Sequence, residues 1–164
     1  MGHSNGAFMD YRMACDHADD IAAIVSLAGA TYADASKCRP SSPVAVLEIH
    51  ATDDRSVRYR GGVLPSTGPG HRLAAYPSAT ATAATWAAYD GCAATPVRSS
   101  ERVDVDADLD GPDGPAEAAR DAWTGCDPGG AVELWTIPGG RHGPKLAATF
   151  PDELLAFLLA HPKP

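Results

Sequence analysis

The order of apolar runs along the chain predicts a small sheet of parallel strands. Three runs of aliphatic and β-branched residues predict buried strands at residues 21–30, 44–50 and 131–137. A continuous apolar run indicates a strand that is covered on both faces, which is typical of parallel sheets between helix layers. We therefore expect an α/β fold with a mostly parallel sheet of three strands or slightly more, and helices on both faces.

The segments between these runs predict the remaining elements. Apolar spacings of three and four predict helices over residues 5 to about 16 and 78 to about 91, the second capped by a serine. Residues 97–126 alternate and then contain a cluster of Asp, Gly and Pro, which predicts a hairpin with an exposed tip. A last amphipathic helix begins near residue 151, and its apolar side carries Leu154, Leu155, Phe157 and Leu158.

Length and charge limit the domain count and the partners. A chain of 164 residues has room for one core, so we expect one domain over residues 1–164. Its 13 Lys and Arg against 21 Asp and Glu give a formal net charge of −8, which repels nucleic-acid phosphates and anionic membranes. No apolar run in the sequence approaches the ~18 to 20 residues that span a bilayer. We expect neither a nucleic-acid partner nor a membrane-spanning segment.

Residues 2–6, GHSNG, match the Gly-x-Ser-x-Gly pattern of a nucleophile elbow. In that turn the serine backbone is strained, and both glycines are small because a strand and a helix approach closely. An ordinary N-cap serine is the alternative interpretation of Ser4. Asp53 and Asp54 follow the second predicted strand, and His142 follows the third. The chain order Ser, Asp, His is the one that this architecture uses, which favours a catalytic triad.

These residue types fit acyl transfer. A serine hydroxyl is a weak nucleophile until a histidine takes its proton, and a carboxylate fixes the tautomer of that histidine. The backbone N–H of Asn5 would donate to the oxyanion, helped by the positive end of the following helix. We expect His3 to line the site and no cofactor to be needed. A metal-dependent hydrolase is the weaker alternative, with ligands His50, Asp53, Asp54 and His142.

Cysteine spacing and an acidic loop bear on metals and disulfides. The four cysteines are widely spaced and form no zinc-binding cluster; they predict two disulfides, with three connectivities open. Residues 106–117 fit the calcium-loop pattern D-x-D-x-D-G-x₅-E, with candidate ligands Asp106, Asp108, Asp110 and Glu117 around Gly111. Asp113 stands where such loops carry an apolar residue, and no helical pair flanks the loop. We therefore favour a solvated acidic turn without a metal.

Three segments resemble the secreted polyhydroxybutyrate depolymerase and feruloyl esterase group of α/β-hydrolases: GHSNGAFMDYRMAC, LEIHATDDRSVRYRGG and IPGGRHGPK. The resemblance implies Ser4 as the nucleophile and His142 as the base. It also implies Asp54, rather than Asp53, as the acid, because the family has a strand that ends in His-Gly-x-x-Asp. Ala51, where the family prefers glycine, and Arg55, where it often has proline, depart from the pattern.

The resemblance further implies the pairing of the cysteines and the extent of the fold. The cysteine-bearing elements of the family correspond to disulfides between Cys15 and Cys38 and between Cys92 and Cys126, which implies an oxidising compartment and a secreted protein. Enzymes of this group have several strands before the elbow. We therefore expect the chain to correspond to the C-terminal half of an α/β-hydrolase, beginning at the elbow, with a partial oxyanion hole.

Two functions from different classes follow from these observations. The first is a serine esterase that hydrolyses short acyl or aromatic esters, with polyester and lipid-like esters as further substrates. The second is a non-catalytic remnant of the fold, because the strand at residues 21–30 would have an unpaired apolar edge. Such an edge invites pairing with another chain, and we expect a homodimer in that case.

Overall fold

A computed structural model describes residues 1–64, 74–110 and 115–164 of the chain. Strands and helices alternate as far as the strand at residues 45–51, after which a small two-stranded sheet and the second long helix follow. A hairpin then precedes the last strand and helix. The strands are β1 (Gly2–His3), β2 (Ala23–Leu27), β3 (Ala45–Ala51), β4 (Gly62–Leu64), β5 (Ala74–Tyr76), β6 (Val97–Val103), β7 (Ala118–Trp123) and β8 (Val132–Ile137). The helices are α1 (Asn5–Asp16), α2 (Ala79–Tyr89), α3 (Ala107–Asp110) and α4 (Phe150–Ala160), with a 3₁₀ turn at Ala35–Lys37.

The main sheet is mixed and has six strands in the order β1-β2-β3-β8-β7-β6. The pairings β1 with β2, β2 with β3 and β3 with β8 are parallel, whereas β8 with β7 and β7 with β6 are antiparallel. The α/β class is confirmed, but the sheet of the described residues is mixed and larger than the mostly parallel sheet of three strands or slightly more that the sequence predicts. Strand β1 is too short to give a sequence pattern, and β6 is polar because it is an edge strand. Strand β7 lies between β6 and β8, and its polar residues Asp121 and Arg120 pair with Arg98 of β6 and Glu133 of β8.

Two helix layers cover the sheet, and alternation along each strand divides its side chains between them. On one face, α1 and α2 pack Tyr11 and Trp86 against β3 and β8. On the other face, α4 packs Phe150 and Phe157. The sequence prediction for α4 was wrong at Leu155, which is 53% exposed because it points away from the sheet. The three tryptophans are buried as core residues.

Antiparallel strands β6 and β7 form the hairpin that the sequence predicts. Part of the acidic loop, including Gly111 and Asp113, lies outside the described residues. Glu117, a candidate calcium ligand, is buried and accepts the backbone N–H of Asp106 at 2.9 Å and that of Val105 at 3.2 Å. Within the described part of the chain, no group of three or more His, Cys, Asp or Glu side chains is placed to hold a metal ion.

Disulfides join Cys15 to Cys38 and Cys92 to Cys126, which is the pairing that the family resemblance implies. Two disulfides are typical of proteins that fold in an oxidising compartment and fit an extracellular protein. Among the helices that the structure describes, none is long and apolar enough to span a membrane.

Strand β1 partly covers the edge of β2 that the sequence predicts to be unpaired. Gly2 pairs with Ser26 and His3 pairs with Leu27, so the contact is confined to the carboxyl half of β2. No other strand among residues 1–64, 74–110 and 115–164 lies on this side of the sheet. Association of two chains through this edge stays a prediction.

Candidate active site

Ser4 lies in the tight turn between β1 and α1 and has a strained backbone. Its φ of 55° and ψ of −119° fall in a region that non-glycine residues rarely occupy. Its backbone N–H donates to the carbonyl oxygen of Leu27 at 2.9 Å, which ties the turn to the end of β2. Its side chain makes no capping hydrogen bond, so it does not act as an ordinary N-cap serine. Strain of this kind persists only where the surroundings enforce it, and it is concentrated at functional sites.

His142 brings Ser4 and Asp54 together. It follows β8, and Asp54 follows β3, so the carboxyl ends of neighbouring parallel strands deliver both side chains to one edge of the sheet. The Nε2 atom of His142 is 2.8 Å from the Oγ of Ser4, and its Nδ1 atom is 2.7 Å from Oδ2 of Asp54. His142 is partly exposed, whereas Asp54 is buried. A reacting group can therefore reach the serine from solvent while the carboxylate stays protected.

The carboxyl group of Asp54 is held in its ionised form. Oδ1 accepts the backbone N–H groups of Ser56 at 2.8 Å and of Val57 at 2.9 Å, and Oδ2 meets His142. Burial raises the pKa of Asp54, but the contact with His50 at 3.6 Å and the hydrogen bonds from His142 and these two N–H groups outweigh it and lower the pKa to about 2. Asp53, the other sequence candidate, is exposed, and its backbone N–H donates to the carbonyl oxygen of Gly140.

The ionised Asp54 fixes which ring nitrogen carries the proton in the neutral form of His142. A carboxylate can only accept, so Nδ1 of His142 carries the proton in this contact. The neutral ring then offers an unprotonated Nε2 to the Ser4 hydroxyl, which donates to it. This is the tautomer that a general base for serine requires.

Asn5 and His3 flank the serine. Asn5 is the first residue of α1, where backbone N–H groups have no partner within the helix and the helix dipole is positive. His3 is exposed, its Nε2 donates to the carbonyl oxygen of His142 at 2.7 Å, and the two rings lie 4.9 Å apart. His3 therefore contacts the backbone and the ring of His142, besides lying next to Ser4.

A buried polar network lies behind Asp54, and the sequence analysis missed most of it. Tyr11 donates to Glu48 at 2.7 Å, and Glu48 contacts Nδ1 of His50 at 2.9 Å. The three side chains are at most 1% exposed. A single acidic residue within the apolar run VAVLEIH was the signal that could have found it, because a buried carboxylate requires polar partners. His50, named from the sequence as a ligand of the alternative metal site, is a hydrogen-bonding residue near the end of β3.

An open pocket of about 630 Å³ is lined in part by Asn5, the residue after Ser4. Its walls are largely apolar and aromatic, formed by Phe8, Tyr32, Leu64 and Tyr76. The rings of Phe8 and Tyr76 meet edge to face, with centroids 5.8 Å apart. Arg12 contacts Tyr32 at the rim. The pocket can accommodate an apolar group of a ligand whose polar part lies at Ser4.

No model of a known protein family matches this chain, and a comparison with curated proteins gives no match. The function therefore has to be argued from the geometry of the site.

Proposed function

We propose that the protein is a serine esterase that forms an acyl-enzyme on Ser4. The observation that carries the proposal is the continuous hydrogen-bonded chain from the Ser4 hydroxyl through His142 to Asp54, with contacts of 2.8 Å and 2.7 Å. The strained backbone of Ser4 and its partial exposure support the same role, because a nucleophile elbow presents the serine oxygen above the sheet.

In the proposed reaction, Oγ of Ser4 attacks the ester carbonyl carbon while Nε2 of His142 takes the hydroxyl proton. The carbonyl oxygen becomes an oxyanion, and the backbone N–H of Asn5 donates to it. His142 then gives its proton to the departing alcohol, and the tetrahedral intermediate collapses to the acyl-enzyme. Water, deprotonated by His142, attacks the acyl-enzyme and releases the carboxylic acid and free Ser4. Asp54 holds the ring and stabilises the imidazolium in both halves.

The pocket beside Asn5 supports esters with an apolar or aromatic group as substrates. Phe8, Tyr32 and Tyr76 provide flat apolar surface at one side of the serine. Esters are favoured over amides because an alcohol leaves more easily than an amine. Aromatic and short acyl esters are the proposed substrates, with polyester and lipid-like esters as an extension of the same chemistry.

The proposal includes the fold relationship and the location. We propose that this α/β domain corresponds to the triad-bearing half of an α/β-hydrolase of the depolymerase and feruloyl esterase group, and that it acts outside the cell. Its support is the motif order Ser4, Asp54 and His142, the strand–turn–helix context of Ser4, and the two disulfides.

Hydrolysis of p-nitrophenyl esters from acetyl to long acyl chains tests the proposal, with the wild type and Ser4→Ala side by side. We expect Ser4→Ala to lose turnover by at least about a thousandfold, because removing a triad nucleophile removes the covalent route. Ser41→Ala is the matched control, since Ser41 is exposed and precedes the opposite, amino end of β3. Turnover that persists in Ser4→Ala, or that falls equally in Ser41→Ala, would contradict the mechanism.

A further inference from the structure

The buried network of Tyr11, Glu48 and His50 reaches the candidate acid from behind. Nε2 of His50 donates to the carbonyl oxygen of Val57 at 2.8 Å and lies 3.6 Å from Oδ2 of Asp54. The same Oδ2 atom is 2.7 Å from Nδ1 of His142. Two imidazole rings therefore approach one carboxylate oxygen, one from the core and one from the solvent side.

The hydrogen bonds of His50 indicate that its ring carries two protons. A carbonyl oxygen can only accept, so Nε2 holds one proton toward Val57. Burial and the adjacent Glu48 raise the pKa of Tyr11, so its hydroxyl keeps its proton and donates to Glu48. The other oxygen of Glu48 meets Nδ1 of His50. Burial raises the pKa of Glu48, whereas the hydrogen bonds from His50 and Tyr11 favour its ionised form, to which a protonated Nδ1 donates. Burial lowers the pKa of His50, but contacts with Asp54 and Glu48 outweigh it and raise the pKa to about 10.

We propose, on the basis of the proposed esterase function, that His50 is a positioning residue of this site. The His50 imidazolium is held by Glu48, which Tyr11 hydrogen-bonds in turn. In this position, His50 keeps the Asp54 carboxylate in place and offsets part of the negative charge of Asp54. The positive charge of His50 weakens the electrostatic attraction between Asp54 and the proton on Nδ1 of His142. Nε2 of His142 thereby stays available to accept the Ser4 proton.

Several charged and polar groups share this environment. His50 is faced by Glu48 from its own strand, by Asp54 and Tyr59 from the segment after β3, and by Tyr11 of α1 through Glu48. Tyr59 in turn hydrogen-bonds Thr136 of β8, and Ser26 of β2 is in register with Glu48.

His142 is faced by Ser4, His3 and Asp54, and Arg55 and Arg141 line the recess beside it. Among these described neighbours, His50 is the cation that lies within 4 Å of Asp54 on its buried side.

His50→Gln and Glu48→Gln test the proposal through the titration of His142. Gln at position 50 can still donate to the carbonyl oxygen of Val57 but carries no charge. Gln at position 48 removes the counter-charge that keeps His50 protonated. His50→Gln should raise the pKa of His142, followed by imidazole NMR, by about 0.5 to 1.5 units. Glu48→Gln should shift it less, because Asp54 still favours a proton on His50. The acid limb of the kcat/KM profile for p-nitrophenyl acetate should move to higher pH by the same amount.

Two controls separate this effect from a loss of packing. Tyr11→Phe removes the outer hydrogen bond without changing a charge, so the His142 titration should move by less than about 0.3 units. Glu133→Gln breaks a partly buried ion pair with Arg120 in the same sheet, away from the site. It should lower Tm and leave the His142 titration unchanged.

The outcomes distinguish this inference from the proposed function. A His142 titration that stays unchanged in both His50→Gln and Glu48→Gln would mean that the network only supports the fold. If these variants do not fold, the wild type decides: a neutral His50 ring in its NMR spectrum at pH 8 overturns the proposal, and an imidazolium supports it. Absence of Ser4-dependent hydrolysis would overturn the esterase function, whereas the His142 titration would still test the influence of His50.

Discussion

The missing side chain of Gly2 leaves the space that the backbone of Gly6 occupies. A Cβ atom at Gly2 would collide with the carbonyl group of Gly6 and lie 2.7 Å from the nitrogen of Ala7. At Gly6 itself, a Cβ atom would meet nothing within 4 Å. The sequence motif suggests that both glycines are needed because strand and helix approach closely. In the structure, only Gly2 of the two lies at that close approach.

Gly2→Ala and Gly6→Ala should therefore have opposite effects. Gly2→Ala forces α1 away from β1, which should displace Ser4, cost about 1 to 3 kcal/mol of stability and sharply reduce ester turnover. Gly6→Ala should fold normally and gain up to about 1 kcal/mol, because alanine favours the helix. Urea unfolding and p-nitrophenyl ester turnover of the two variants provide the measurement. Equal losses in both would show that the elbow is packed differently.

The pocket beside Asn5 predicts how selectivity changes. Phe8 forms part of its aromatic wall, so Phe8→Ala should raise KM for aromatic and long acyl esters by about tenfold, with little change for acetate. Leu159→Ala is the matched control, because Leu159 is 78% exposed on α4. Steady-state kinetics over the ester series check this. A uniform loss across all chain lengths would place the substrate group elsewhere.

The sequence predicted the central elements because their patterns are long. Helices α1 and α2 and strands β2, β3 and β8 lie where apolar spacing indicates. Strands β1, β4 and β5 have two or three residues each, too few for a period. The sequence of β6 and β7 predicts a hairpin. It does not predict that the hairpin extends the main sheet, because that depends on the pairing of β7 with β8.

The candidate site likewise contains residues that the sequence predicts and residues that it does not. Ser4, Asp54 and His142 each follow a strand, and the topology of parallel sheets brings such positions together. The support behind them depends on side chains far apart in the chain: Tyr11 of α1 meets Glu48 of β3 only once the helix is packed on the sheet. A sequence pattern can indicate that Glu48 needs a partner, but not which residue provides it.

The disulfide between Cys15 and Cys38 links the end of α1 to the segment before β3, and the second disulfide joins the segment after α2 to the segment after β7. Replacing either pair by serine should lower the free energy of unfolding by about 3 to 4 kcal/mol, because the unfolded chain gains entropy. Urea unfolding with and without reductant measures this. If reductant does not change the unfolding free energy of the wild type, the disulfides do not stabilise the protein by restricting the unfolded chain.

Asp90 predicts a pH dependence of stability that comes from the core rather than from the candidate site. Its Oδ1 accepts the backbone N–H of Val44 at 3.2 Å, and Oδ2 is buried without a hydrogen-bond partner among the described residues. Burial raises the pKa of Asp90 to about 7, although the contact with Val44 and the charge of Lys163 oppose the shift. Between pH 4 and 7 the folded protein therefore binds a proton that the unfolded chain releases, and stability falls as pH rises.

Asp90→Asn should remove this dependence. Relative to the wild type, the variant should gain about 2 to 4 kcal/mol of stability as pH rises from 4 to 8, because asparagine cannot ionise. Urea unfolding at pH 4, 5.5, 7 and 8.5 measures the change, and Asp20→Asn is the control, since Asp20 is exposed. A constant difference between Asp90→Asn and the wild type across this range would mean that Asp90 titrates as a solvated carboxylate. If the stability difference from the wild type increases with pH only for Asp90→Asn, the titration is assigned to this buried group. The exposed control Asp20→Asn changes surface charge alone.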